Sequence, residues 1–146
     1  MTLPSDRVFQ ALKAKPLETS DNLEVFDTPY GVSYVRMESD EVTSLCPITG
    51  QPDFETITIE YGPRRFCIES KSLKLYFQSL RNVGEFIEDL SSKIADLVVN
   101  AIQPEWVVVS AKQKPRGGIE ILARTRLVIK EVEEGYTYVP VVEYLQ

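Results

Sequence analysis

The chain has 146 residues, 43% hydrophobic and 26% charged, which suits a globular domain with one sizeable core. Its net charge of −6 argues against a general nucleic-acid-binding surface, and its polar start holds no apolar run long enough for a signal peptide or membrane span. With no histidine and two cysteines, Cys46 and Cys67, it excludes Ser-His-Asp and Cys-His catalysis, is poorly equipped for zinc, and is expected in a reducing cytoplasm with both thiols free.

Residues 1–30 carry Pro4, Pro16 and Pro29 and read as an N-terminal arm, with room for a short helix at Arg7 to Lys15. Residues 31–146 are expected to form one domain. A strand is expected from Val32 to about Leu45, then the turn-rich CPITGQPD. FETITIEY alternates Glu55, Ile57, Ile59 and Tyr61 against Phe54, Thr56, Thr58 and Glu60, the pattern of a strand. YGPRR is a turn, and FCIES ends a strand and leads into a helix. In SKSLKLYFQSLRN an apolar stripe of Leu73, Tyr76, Phe77 and Leu80 lies beside a basic one of Lys71, Lys74, Gln78 and Arg81, with Ser70 or Ser72 as cap.

A second helix from about Glu85 to Ile102 repeats Ile87, Leu90, Ile94, Leu97, Val98 and Ala101, and Pro104 ends it. EWVVVSAKQK is a strand apolar on both faces, and PRGG is a turn. GIEILARTRLVIK turns Ile119, Ile121, Ala123, Thr125, Leu127 and Ile129 inward. The last strand, YTYVPVVEYL, contains Pro140 and suits a sheet edge. The order β-β-α-α-β-β plus a terminal strand indicates an α+β domain, an antiparallel sheet with two helices on one face. Leu75, off the helical stripe, and the doubly apolar third strand are surplus apolar surface of the kind that marks subunit contact.

Cys46 stands where a strand gives way to a turn, a usual place for a reactive group, although a free cysteine is often a small core residue. Asp53, the one carboxylate of that turn, reads either as a turn cap after Pro52 or as a proton carrier near the thiol. Cys67, in an apolar context, reads as core. Lys71 and Lys74, one turn apart at a helix start, are solvated lysines or a phosphate site, with Arg116 of PRGG as a solvated arginine or a second phosphate contact. Glu88 on the second helix faces solvent by default.

Taken together, CPITGQPDF, ESKSLKLYFQSLRN and RGGI resemble the 7-cyano-7-deazaguanine reductase (QueF) family of queuosine biosynthesis. The resemblance spans roughly Ser44 to Ile119. It implies the tunnel fold, whose order is the one read above, and homo-oligomeric rings with active sites between subunits. It implies Cys46 as the nucleophile that turns a nitrile into a thioimide and Asp53 as the proton-transferring acid. Ile68, Glu69 and Ser70 fall where the family holds the deazaguanine, and Glu88 where it recognises the base edge. Lys71, Lys74 and Arg116 fall in the region associated with NADPH, two molecules of which deliver the hydrides. One departure stands beside Glu88: the family's Phe-His-Glu run is Phe86-Ile87-Glu88 here, which puts Ile87 at the substrate in place of a histidine. Leu90 stands near the place of the family's frequent second-helix cysteine. The alternative is an archaeosine-type amidinotransferase, in which ammonia attacks the same thioimide on tRNA. A deazaguanine-binding relative without reduction is a third reading. The intact ESKSLKLY motif and the acidic charge favour the reductase.

Overall fold

The structure, a computed structural model, describes residues 22–141; the helix expected at Arg7 to Lys15 and the end of the expected last strand lie outside them. The elements are β1 (Val25–Asp27), β2 (Val35–Leu45), β3 (Pro52–Gly62), β4 (Phe66–Ile68), α1 (Ser70–Ser79), α2 (Ile87–Ile102), β5 (Trp106–Arg116), β6 (Ile119–Val132) and β7 (Gly135–Pro140). Five strands form an antiparallel sheet in the order β2-β3-β5-β6-β7, and β1 and β4 form a separate antiparallel pair. The architecture is the expected α+β. α2 packs on β5 and β6, and α1 approaches β2. β7, with Pro140 as its last residue, is an edge strand.

The buried face of the sheet changes character along β3. Tyr61, Ile59 and Ile57 are fully buried and pair in register with Val107, Val109 and Ala111 of β5. α2 covers this ladder with Ile87, Leu90, Ile94, Ala95, Val98 and Ile102. Each fully buried valine, leucine or isoleucine here stabilises the fold by about 1.5–3 kcal/mol. Continuing along β3, the same face presents Glu55 and then Asp53, with Gln113 opposite Glu55 on β5. The period of two that carries Ile57 and Ile59 inward therefore carries two carboxylates inward as well.

Two hairpins deliver residues to that polar end. The β2–β3 loop is closed by backbone bonds from Cys46 N to Gln51 O (2.8 Å) and from Gly50 N to Cys46 O (2.9 Å), with Gly50 left-handed at φ +71°. The β5–β6 turn has Gly117 and Gly118 at φ +58° and +78°, the two positive values that a type I′ turn requires.

Several local expectations change. Residues 22–30, read as the end of an arm, contain β1, whose Val25 is part of the core. The cap of α1 is Glu69, not a serine: its oxygens accept from Lys71 N and Ser72 N, both at 2.7 Å. Leu75, read as surplus surface, is buried within the chain, and Ile119, read as inward-facing, is exposed beside the turn. On α2 the buried stripe takes Ala95 and Ile102, while Leu97 and Ala101 are half-buried. Gln103, left-handed at φ 45°, closes that helix before Pro104.

Candidate active site

Cys46 is the first residue after β2 and is 7% exposed. The Thr49 hydroxyl, the Arg116 guanidinium and the backbone N–H groups of Thr49 and Ile48 surround its sulfur and hold the thiol down at about 6, against slight opposition from burial. Donors favour the thiolate because they pair with its negative charge. The loop is braced from behind. Leu45 N donates to Val83 O (2.9 Å), Glu85 N donates to Leu45 O (3.2 Å), and a side chain on Gly84 would come within 3.4 Å of the Pro47 backbone. The segment leading into α2 is thereby fixed against the cysteine loop.

Arg116 joins the thiol to the buried carboxylates. Its Nε lies 3.0 Å from Asp53 Oδ1, an ion contact without hydrogen-bond alignment. With the Gln113 amide turned to suit its neighbours, the amide oxygen accepts from Arg116 Nε and Nη2, both at 3.1 Å. Ser44, opposite Asp53 in register, donates to Glu55 Oε1 at 2.5 Å. Asp53 and Glu55 are each 2% exposed. Burial pushes the Glu55 carboxyl up to about 7, the Asp53 charge adds to that, and the Ser44 hydroxyl opposes it.

The structure thus brings Cys46, Asp53 and Arg116 together. Arg116, expected with Lys71 and Lys74, meets the thiol and Asp53 instead. Lys74 and Ser70 line a separate groove of about 400 Å³ between α1 and β2, with Gln78 and Arg81 along the same helix and Glu38 and Glu41 opposite. Lys71 follows Ser70 on α1 and is half-buried. The donors Ser70, Lys74, Gln78 and Arg81 suit the phosphates of a dinucleotide. Ile68 is buried in β4 and its N–H donates to the Tyr61 hydroxyl (2.9 Å). Glu69 is committed to capping α1. Glu88 is exposed on the first turn of α2. Ile87 begins that helix at 2% exposure and belongs to the core. Cys67 is buried, its sulfur 3.6 Å from the Thr28 hydroxyl. Sequence reasoning missed Thr49, Ser44, Glu55 and Gln113. For Glu55 the signal was present: in QPDFE the two carboxylates are two apart and share one strand face.

Residues 52–131 match the family described as QueF-like protein. The NADPH-dependent 7-cyano-7-deazaguanine reductase of Thiobacillus denitrificans is 40% identical over 133 residues, 90% of this chain and 93% of that one. Its namesake from Chlorobium phaeovibrioides is 50% identical over 99 residues, 66% of this chain and 85% of that one. The one from Granulibacter bethesdensis is 51% identical over 94 residues, 64% of this chain and only 61% of its own length, so the match spans about three fifths of that relative. Among solved structures, an apo archaeosine synthase QueF-Like is similar at a TM-score of 0.60 and 26% identity, over 68% of this chain and 94% of that one. No helix among the described residues is long and apolar enough to cross a membrane.

Proposed function

The chain belongs to the QueF-like protein family and has its tunnel fold, and from that premise we propose that it reduces the nitrile of 7-cyano-7-deazaguanine to the aminomethyl group of 7-aminomethyl-7-deazaguanine. The observation that carries this reading is a thiol activated without histidine, with Asp53 and Arg116 beside it. The names of the relatives support the substrate and the use of NADPH.

A nitrile is a poor hydride acceptor until a thiolate adds to it. At neutral pH Cys46 is largely thiolate. Its sulfur attacks the nitrile carbon, a C–S bond forms, and one π pair moves to nitrogen, which takes a proton from Asp53. Arg116 releases the neutralised sulfur and keeps its contact with Asp53. NADPH, when bound, supplies hydride, two molecules serving each nitrile. Lys71 and Lys74 are the cations for it, and Ser70 and Gln78 add donors. Ile68, Glu69, Ser70 and Ile87 frame the base in this reading, and Glu88 receives its edge. β1 and residues 31–146 act as one catalytic domain within a homo-oligomer whose sites lie between subunits, in the cytoplasm. The likeness to an archaeosine synthase supports the fold, whereas the reductase names favour reduction over transfer.

Mass spectrometry after incubation with the nitrile base and no NADPH should show one base added per chain, absent in Cys46→Ala. NADPH absorbance should then fall by two equivalents per nitrile. An adduct on Cys67, or an adduct that never consumes NADPH, overturns the reading.

A further inference from the structure

Glu55 is a buried carboxylate for which the chemistry above has no use. It stands two residues from Asp53 on the same face of β3, roughly 7 Å along the strand. The two are tied together from both sides. Ser44, opposite Asp53, donates to Glu55 Oε1; Gln113, opposite Glu55, accepts from the Arg116 that contacts Asp53. Their remaining oxygens, Asp53 Oδ1 and Glu55 Oε2, are buried and accept no hydrogen bond from the chain. A buried carboxylate oxygen left in that state disfavours the charged form unless a cation stands by. What meets Glu55 is a serine hydroxyl.

We propose that Glu55 is the proton reservoir behind Asp53, which reloads Asp53 between the two proton transfers to the substrate nitrogen. This rests on the reductase reading. Its need follows from the stoichiometry, in which nitrile to amine takes two hydrides and two protons. The first proton reaches nitrogen from Asp53 as the C–S bond forms. The second is required when the first hydride reaches the thioimide carbon and the C=N π pair moves to nitrogen. Cleavage of the C–S bond then returns the thiolate to Cys46 and leaves an iminium, which the second hydride reduces without a further proton. Asp53 must therefore regain a proton while the adduct occupies the site. A neutral Glu55 gives up its O–H proton toward Asp53, remains as a carboxylate held by Ser44, and is restored from solvent. Burial and the Asp53 charge keep Glu55 divided between its two forms near neutral pH, the condition in which a group both gives and regains a proton. Glu55 acts through Asp53 and is a positioning residue for the proton, not a group that touches substrate.

The test begins with the native protein alone: carbon-13 labelling of the glutamate side chains, with Glu55→Gln to assign the signal, should show Glu55 titrating near pH 7. Glu55→Gln keeps the acceptor for Ser44 and lacks the proton. It should form the Cys46 adduct at the native rate without NADPH, then consume NADPH about 100-fold more slowly. Its pH–rate profile should lose the limb near pH 7. Titration of Glu55 below pH 5 overturns the proposal. So does a variant with native turnover and profile, or one slowed equally in adduct formation and reduction, which marks a structural role. A native protein that forms no adduct refutes the reductase reading itself, and this role with it, whatever the titration gives.

Discussion

The sulfur of Cys46 gathers its donors from two places, the tight loop it begins and the end of β5, and the Thr49 hydroxyl contributes most. Thr49→Ala should therefore raise the midpoint of the thiolate ultraviolet absorbance from about 6 toward the ordinary cysteine value of about 8.5, and Arg116→Ala should do so to a lesser degree. An unmoved midpoint in both would mean that the loop does not activate the thiol. The sign for stability follows. A thiol whose value is lowered on folding adds stability that is complete above its unfolded value and is lost as pH falls toward about 6. Glu55 runs the other way: its raised value stabilises the fold at acid pH, and that contribution is lost as pH rises from about 4.5 to about 7. At Ile87 the side chain is enclosed by the core at the start of α2.

Among the elements, α1 depends most on a single side chain. Glu69 spends both oxygens on the first free N–H groups of the helix, while Ser72 returns a bond to Glu69 O (2.8 Å) and accepts Glu24 N (2.9 Å) next to β1. Glu69→Ala should lower stability by about 0.5–2 kcal/mol in urea unfolding and fray the helix that carries Lys71 and Lys74, visible as faster amide exchange over Ser70 to Lys74. A stable variant with unchanged exchange would show that the cap is dispensable. The two helices, β3 and β6 were legible because their apolar residues keep a regular period. β1 was not: three residues near Pro29 carry no periodicity, and their strand exists only because β4 offers its edge. Nor was the Glu69 cap legible, since serine and threonine dominate such positions and two serines stood adjacent.

For the whole molecule, the candidate site is the place where the sheet's buried face passes from apolar to polar, so the core that stabilises the fold also walls the chemistry. The loop bearing Cys46 and the strand bearing Asp53 were legible from CPITGQPD, a local pattern. The convergence of Arg116 and Gln113 on them was not, because only the β3–β5 pairing, which sets Gln113 opposite Glu55, brings the end of β5 to residues so far away in the chain. The type I′ turn at Gly117 and Gly118 fixes where Arg116 leaves that strand.

That arrangement makes the two thiols opposite clocks for the same collapse. Cys46 is fully activated only once its own loop has closed and β5 has docked on β3 and delivered Arg116, whereas Cys67 disappears behind β1 when β4 pairs. In a refolding chain pulsed with a small electrophile at pH 7, followed by peptide mapping, labelling at Cys67 should fade as time advances while labelling at Cys46 climbs. The lag between the two traces would date the assembly of the long sheet against that of the short one. Parallel decay of both would mean that the Cys46 thiol is no more reactive in the native chain than in the unfolded one.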